Sequence, residues 1–375
     1  MRVVSSIIND ISTDQRVMKQ AAVLKSLGCN VTVVCRRKAD FKFASDDFSV
    51  FRFRFLINKG PLFYLVFNIR LLIFLLFKRY DIYVANDLDT LLPNYIVSRL
   101  RRKPLVYDSH EYFTGQHGLM ERRFAYSTWK KIERSIVPGL RYMITVSDSI
   151  AGLYNAEYGV TPEVIRNMAY SSSGITPVRL EDIGITNNDF RLVIQGAGLN
   201  PGRGVLELLD ALRLVSGVHL VIIGSGDALN DIKMKISSLG LNERVTLIPQ
   251  LPWGEMMRYT LACDAGISLD KDTCINQKLS LPNKLFDYLS AGIPVIASPL
   301  PEVSKIINEY KCGIVAEDVT PESISRAIIQ LRDNKELTAE MKKSAKAASG
   351  VLNWERESIR ETAFFRKIID EYRNF

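Results

Sequence analysis

Only three histidines occur in 375 residues, and neither His110 nor His117 has a cysteine or histidine neighbour at ligand spacing, which argues against a zinc site. Cysteine is equally thin. Cys29, Cys35, Cys263, Cys274 and Cys312 are odd in number, scattered and mostly set in apolar text, so they read as buried thiols of a reducing compartment rather than a disulfide frame. No internal repeat or low-complexity tract is present. The glycine fingerprint G-x-G-x-x-G is missing from the first strand–helix loop, which weakens a nicotinamide or flavin reading. Arg2-Val3-Val4 runs straight into a strand pattern, so no signal peptide is expected and the cytoplasm is the expected location.

The chain has ample apolar material. Hydrophobic residues make up 47% and mean hydropathy is +0.03, enough for sizeable cores. A chain of this length exceeds what one core usually serves, so two domains are expected. Charge is uneven. Residues 1–165 hold 24 Lys+Arg and 15 Asp+Glu, a net of +9; the totals of 49 and 41 leave 25 and 26, a net of −1, for the rest. The basic first half suggests an anionic partner: a membrane surface, a phosphorylated acceptor or nucleic acid.

The most informative stretch is 264–298. Ala265 to Leu269 reads as a buried strand opening into a polar loop, Asp270 to Gln277. A helix is expected to start near Ser280-Leu281-Pro282, since proline suits a first turn that needs no amide donor. Leu285, Phe286 and Leu289 give its apolar face, Gly292 ends it, and Val295-Ile296-Ala297 is the next buried strand. Unpaired amides and the helix dipole at such a loop favour anionic phosphate. Asp287 is a carboxylate that could accept bonds from vicinal hydroxyls such as a ribose.

This segment resembles the signature of the GT-B glycosyltransferases of family 4, retaining enzymes that use nucleotide-sugar donors. Their hallmark is a pair of glutamates with seven residues between them, followed by an Ala-Gly-x-Pro-Val strand. Asp287 falls on the second glutamate, which the resemblance assigns to the ribose; the first falls on Leu279, so that acid is absent. Pro282-Asn283-Lys284 resembles a subgroup that makes polysaccharide. The likeness covers nearly the whole chain. It implies an α/β fold of two doubly wound Rossmann-like domains facing a central cleft. The expected divisions are 1–169 (acceptor side), a linker at 170–189, 190–352 (nucleotide-sugar side) and a helix at 353–375 crossing back.

In chain order, Val3 to Ile8, the helix from Gln15 to Leu27 stopped by Gly28, and Val31 to Cys35 open a βαβ unit. Asn9 to Asp14 is a polar loop with Ser12, Thr13 or Asp14 as N-cap, and the resemblance gives the loop a substrate-facing role through Asn9 and Asp14. Phe51 to Phe55 alternates phenylalanine with arginine as a strand would. Residues 61–79 are strongly apolar yet carry Asn68 and Arg70. A span needs about 20 mainly apolar residues, so the segment is marginal as one. It reads either as a crossover helix packed on the sheet or as a face lying in a membrane interface among Arg54, Lys59, Lys78 and Arg79.

Asp87-Leu88-Asp89 looks like a D-x-D metal motif, but three residues recur by chance, and the resemblance implies no catalytic metal. Asp89 or Thr90 is expected to cap a helix from Leu91. Arg99 to Lys103, with four cations, reads as a solvated helix end. The strand Leu105-Val106-Tyr107 delivers Asp108-Ser109-His110-Glu111 to a sheet edge. The resemblance places His110 over the reacting sugar, with Asp108 or Glu111 setting its tautomer, and Asp87 and Glu111 on the acceptor side. Gln116, His117 and Gly118 read as a mobile loop, and Glu121-Arg122-Arg123 as the start of a helix through Trp129 to Ile136.

In the second half, Gly196 to Gly204 leads from a strand into the helix Val205 to Leu214. Its glycines allow close backbone approach, and Arg203 offers a planar fork for a diphosphate. By the resemblance Arg203 stands on the family's lysine, while the family's arginine falls on Gly198; Lys284 could compensate. Pro249-Gln250-Leu251-Pro252-Trp253 resembles the loop lining the base pocket.

The expectation is therefore retaining, metal-independent transfer. Arg203 and Lys284 would stabilise the leaving group with His110 at the sugar, and Gly198, Asn200, Gly202, Gln250, Ser280, Asn283 and Asp287 would line the donor site. No cofactor beyond the nucleotide-sugar donor is expected. Partners would be that donor, a saccharide or lipid-linked acceptor and an anionic membrane surface on the inner face, without nucleic acid. The competing readings are a GT-B nucleotide-sugar epimerase and a membrane-docking scaffold with a decayed site.

Overall fold

The computed structural model describes residues 1–37, 45, 47–179, 181, 185, 189–196 and 198–373. Ala197 and seven positions of the segment expected as linker (180, 182–184 and 186–188) lie outside the described residues. The chain forms two compact units. The first comprises Met1–Asn167, Cys274–Asn276 and Glu357–Phe375; the second comprises Met168–Thr273 and Gln277–Arg356.

The first unit is built on seven strands: β1 (Arg2–Ser6), β2 (Asn30–Arg36), β3 (Ser49–Phe53), β4 (Ile82–Asn86), β5 (Leu105–Ser109), β6 (Tyr142–Thr145) and β7 (Glu163–Val164). They pair in the order β3-β2-β1-β4-β5-β6-β7, parallel throughout, with Val4 opposite both Thr32 and Tyr83. Parallel strands covered on both faces read as apolar runs, and β4 and β5 are buried at every position. The strand order reverses between β1 and β4, and open sheets of this kind bind ligands beyond the carboxyl ends at such a point. The loops leaving β1, β4 and β5 there begin with Ile7, Asp87 and His110.

Capping decides several element boundaries. Asp14 accepts from the Val17 amide at 3.0 Å and starts the helix Gln15–Ser26, so the third of the expected caps is the one used. The helix after β4 begins earlier than the sequence suggested. It spans Leu88–Arg101 with Asp87 at its N-cap, at φ +61°, and Asp89 lies buried inside the first turn instead of capping. Gln116 to Gly118 is not an open loop: a short helix covers His117–Met120, and a second runs Arg123–Ile136.

Residues 60–77 form one helix whose first turn accommodates Pro61. Phe63, Phe67, Leu71 and Leu75, four apart, pack inward, where Phe67 meets the rings of Phe53 and Phe55. The opposite stripe, Leu62, Leu65, Ile69, Ile73 and Leu76, is exposed although equally apolar.

The second unit repeats the plan with β8 (Phe190–Gly196), β9 (Val218–Gly224), β10 (Val245–Ile248), β11 (Ala265–Ser268), β12 (Val295–Ala297) and β13 (Gly313–Val315). The order is β10-β9-β8-β11-β12-β13, again parallel. Its reversal lies between β8 and β11, whose carboxyl ends lead to Gly196–Gly204 and to Leu269-Asp270. After β11 a short helix, Ile275–Lys278, interrupts the stretch expected as loop; the longer helix starts at Asn283, with Pro282 as N-cap rather than in the first turn, and Gly292 closes it at φ +71°. Its Tyr288 lies across β11 so closely that a Cβ on Gly266 would sit 2.2 Å from the ring. The last helix, Trp354–Arg373, begins in the second unit and joins the first from Glu357 onward.

Candidate active site

In the second unit the donor-side candidates gather at the switch point. Arg203 places Nη1 3.1 Å from Oδ1 of Asp270, and Lys284 places Nζ 3.5 Å from the same oxygen. Asp270 is fully buried, and its other oxygen, Oδ2, has no hydrogen-bond partner among the described residues. Burial alone would raise the Asp270 carboxyl, but the Lys284 and Arg203 charges hold it below its ordinary value. Lys284 moves down: burial dominates and Arg203 adds to it, while Asp270 only partly offsets them. Two cations thus share one carboxylate, which leaves positive charge in excess at a sheet's carboxyl edge.

The backbone around them is shaped by glycine. Gly204 lies at φ +72° and a Cβ there would come 2.3 Å from the Leu269 carbonyl oxygen. That close approach lets the loop carrying Arg203 settle against the one carrying Asp270, and the Lys271 amide donates to the Gly202 carbonyl at 2.9 Å. Gly198 stands beside Asn200, whose Oδ1 accepts from the Asp227 amide at 3.0 Å, and Gln250 accepts from Ser225 at 2.8 Å. Ser280 donates to the Gln277 carbonyl, and Asn283 opens the helix that Gly292 closes.

Asp287 is buried and already engaged. Oδ2 accepts from Gln195 at 3.0 Å and Oδ1 from the Trp253 indole at 2.8 Å. Each carboxylate oxygen can accept more than one bond, so a hydroxyl remains chemically acceptable there. Sequence reasoning puts Trp253 in the loop that resembles a base-pocket lining but does not foresee its bond to Asp287, and it misses Gln195 and Asp270. For Asp270 a signal exists, since it directly succeeds the apolar run of β11 and so has to emerge at the carboxyl edge.

In the first unit, His110 is held between two carboxylates. Its amide donates to Asp87 Oδ1 at 2.9 Å, its Nδ1 lies 3.4 Å from Asp87 Oδ2, and its Nε2 lies 3.5 Å from Asp108 Oδ2. The residues flanking the imidazole are therefore Asp87 and Asp108; Glu111 instead accepts from Gln116 and from Asn276, the latter at 2.6 Å. Burial would push the imidazole down, but the two carboxylates outweigh it and raise His110 to about 9. Burial lifts Asp87 to about 7 against the opposing pull of His110.

Asp108 is pinned from behind. Arg16 donates to both its oxygens, at 2.7 Å from Nη2 and 3.0 Å from Nε, and Gln20 adds a bond at 2.9 Å. Burial works against the charged carboxylate, yet the Arg16 and His110 charges hold it far below the usual range. Glu361 of the last helix is also buried beside Arg16, and burial raises it to about 8. Arg16, Gln20 and Glu361 are residues that sequence reading passes over, because each sits in an ordinary amphipathic helix. Asn9 takes a different place, accepting from Arg36 at 3.3 Å, and Asp14 is occupied in capping. Among the described residues no group of three or more His, Cys, Asp or Glu is placed to hold a metal ion.

Two doubly wound units with charged clusters at their switch points define a class, and comparison with known proteins agrees. The family model described as "Glycosyltransferase Family 4" matches residues 15–168, and "Glycosyl transferases group 1" matches 181–348. The fold resembles sucrose-phosphate synthase from Thermosynechococcus elongatus, with a TM-score of 0.79 at 14% identity, over 99% of this chain and 100% of that one. It also resembles HepE of Anabaena crystallised with UDP-glucose, with a TM-score of 0.75 at 16% identity, over 98% and 100%. The chain belongs to the GT-B glycosyltransferases of the family 4 type.

Curated relatives at low identity are the chitobiosyldiphosphodolichol beta-mannosyltransferases of Candida albicans and Debaryomyces hansenii. They are 22% and 21% identical, over 44% and 60% of this chain. The matches span 37% and 54% of those relatives, about half of their length or less.

Proposed function

We propose that the protein moves a hexose, with retention, from a nucleoside-diphosphate sugar to a saccharide or lipid-linked acceptor in the synthesis of cell-surface glycan. The observation that carries this reading is the pair Arg203 and Lys284 sharing the single buried carboxylate of Asp270 beside a glycine-shaped loop. A diphosphate would supply the counter-charge that Asp270 supplies only in part. Cations already aimed where negative charge builds up on the leaving group provide the main expected rate effect. His110 is assigned to the sugar on the strength of the family resemblance, and its charge at neutral pH suits an electrostatic role. Among the described residues none stands out as a covalent nucleophile, so front-face attack through an oxocarbenium-like state fits best, the leaving phosphate taking the acceptor proton. No metal is required in this scheme. The complex of HepE with UDP-glucose and the dolichol-linked acceptor in the curated relatives' name support the donor and acceptor classes.

The exposed apolar stripe of Gly60–Phe77 supports work at a membrane. This 18-residue helix has a mean hydropathy of 2.0, and Leu65 and Phe77 are 57% and 84% exposed. Lys59 precedes it and Lys78 and Arg79 come after it, cations suited to an anionic cytoplasmic leaflet.

Calorimetry with UDP, GDP, ADP and TDP tests the core of the reading. Binding of one nucleotide that is lost in Arg203→Ala supports it; silence toward all four would leave the scaffold reading standing. Free sugar formed without acceptor would favour the epimerase. Proton NMR of the product decides retention, and activity unchanged by EDTA is expected.

A further inference from the structure

The first unit carries a second cationic site that the transfer reaction does not use. A cavity of about 530 Å³ lies where β5 and β6 begin, lined by Leu105 and Tyr142. It is therefore at the amino edge of the sheet, whereas Asp87 and His110 lie just past the carboxyl ends of β4 and β5. Its volume falls within the range of small-ligand sites, about 300–1,000 Å³.

The lining holds four cations, Arg99, Arg102, Lys103 and Arg141, against the one carboxylate of Glu371. That carboxylate is spoken for. Arg141 pairs with it at 2.8 Å and the Tyr142 hydroxyl donates to it. Lys103 donates to the Tyr372 hydroxyl, an uncharged partner, and Arg99 lies over the Tyr95 ring, 5.8 Å from its centroid. The Arg102 guanidinium makes no hydrogen bond or ion pair among the described residues. Among the described residues three positive charges therefore remain without a negative one.

Arg102 is unusual in a second way. It occupies the left-handed region, at φ +53° and ψ +47°, as the C-cap of the helix Leu88–Arg101. Glycine is the ordinary residue there, and a side chain carries a conformational cost. Here the position holds an arginine that lines the cavity.

We propose that this cavity binds a phosphate-bearing ligand, through the forks of Arg99 and Arg102 and the ammonium of Lys103. Two planar guanidinium groups and a nearby ammonium match the several oxygens and double charge of a phosphate group better than a single carboxylate would. The same chemistry is offered by a lipid phosphate headgroup and by a soluble phosphate. Arg101, next in sequence to Arg102, donates to the carbonyls of Leu76 and Lys78 and so ties the end of its helix to the end of the exposed apolar one, the feature that makes a headgroup worth testing.

Arg102→Gly makes a clean test, because glycine fits the left-handed cap and the variant should fold at least as well as the parent. In an Arg203→Ala background, which silences the donor site, inorganic pyrophosphate is titrated by calorimetry. Flotation is measured on phosphatidylcholine vesicles with and without phosphatidic acid. If the ligand is soluble, Arg102→Gly weakens pyrophosphate binding about tenfold or more while flotation is unchanged. If it is a headgroup, the variant loses the extra flotation that phosphatidic acid confers, and pyrophosphate competes in the parent. Equal behaviour of parent and variant in both arms overturns the proposal. Transfer to a soluble acceptor should not change in Arg102→Gly alone, so failure here is separable from failure of the donor-site reading.

Discussion

The two units share one winding plan yet use their charged groups in opposite ways. At the second unit's switch point two cations share one carboxylate, a cluster short of negative charge. In the first unit His110 stands between Asp87 and Asp108, and Asp108 is itself locked by Arg16 and Gln20, a cluster closed on its own partners. The first arrangement suits a ligand that brings charge with it. The second suits holding a proton at a fixed place. Sheet topology alone made neither; the difference comes from the residues set just beyond each strand's carboxyl end.

The largest expected effect tests that division directly. Arg203→Ala should lower kcat/KM by roughly 100- to 1,000-fold and remove most nucleotide affinity, since a preorganised cation is lost from the leaving-group side. His110→Ala should cut turnover while leaving nucleotide affinity nearly intact. Equal loss of nucleotide binding in both variants would break the comparison.

Next in size is Asp270→Asn. Without the carboxylate, Lys284 and Arg203 face each other with no counter-ion, and Lys284 is only 12% exposed. The apo protein should lose on the order of 3 kcal/mol, the scale for one partner removed from a buried pair. UDP or whichever nucleotide binds should then raise Tm more in the variant than in the parent, because the ligand restores the missing charge. A Tm gain no larger than the parent's would sink the view that diphosphate and Asp270 serve the same cations.

The first unit's cluster makes a pH prediction. His110 is raised to about 9 from an ordinary 6.5, so its stabilisation is complete below pH 6.5 and disappears as pH climbs through 9. Asp87 is raised to about 7 from 3.8, so its burial costs nothing below 3.8 and the penalty grows until pH 7. Both effects lower stability as pH rises, but in separate windows. Denaturant unfolding should show a loss on the order of 2 kcal/mol between pH 7 and 9. That loss should shrink in His110→Gln, which keeps a polar group without the titration, and the remainder belongs to Glu361, whose burial penalty grows until about pH 8.

Much of this was legible from sequence, and the reason is local. Apolar runs ended by Asp87, Asp108 and the 196–204 glycines mark strands and their carboxyl edges, so chain order indicates doubly wound winding and puts His110 and Arg203 just beyond a strand; the pairing of two such units rested on the family resemblance. Partners separated by long stretches of chain escaped. Arg16 meets Asp108 across 92 residues and Gln195 meets Asp287 across the same interval. Nothing in the local pattern around either marks the pairing. The early start of the helix at Leu88 escaped for another reason: Asp87 adopts a positive φ, which a sequence rule for caps does not anticipate.

The smallest effect on stability is expected on the outward face of one helix of the first unit. In Gly60–Phe77 the stripe Phe63, Phe67, Leu71, Leu75 is buried, while Leu65, Ile69 and Ile73 face outward. A core residue loses both transfer energy and packing when truncated, about 2–5 kcal/mol for Leu→Ala. An exposed one loses almost none, within about 0.5 kcal/mol. Leu71→Ala should therefore lower Tm sharply, and Ile69→Gln with Ile73→Gln should hardly move it. If the outward stripe serves a membrane, the same double variant should abolish flotation on anionic vesicles at low and high salt alike. The charge variant Lys78→Gln with Arg79→Gln should instead weaken flotation in a salt-dependent way. Flotation that survives loss of the apolar stripe would mean that charge alone brings the first unit to the surface.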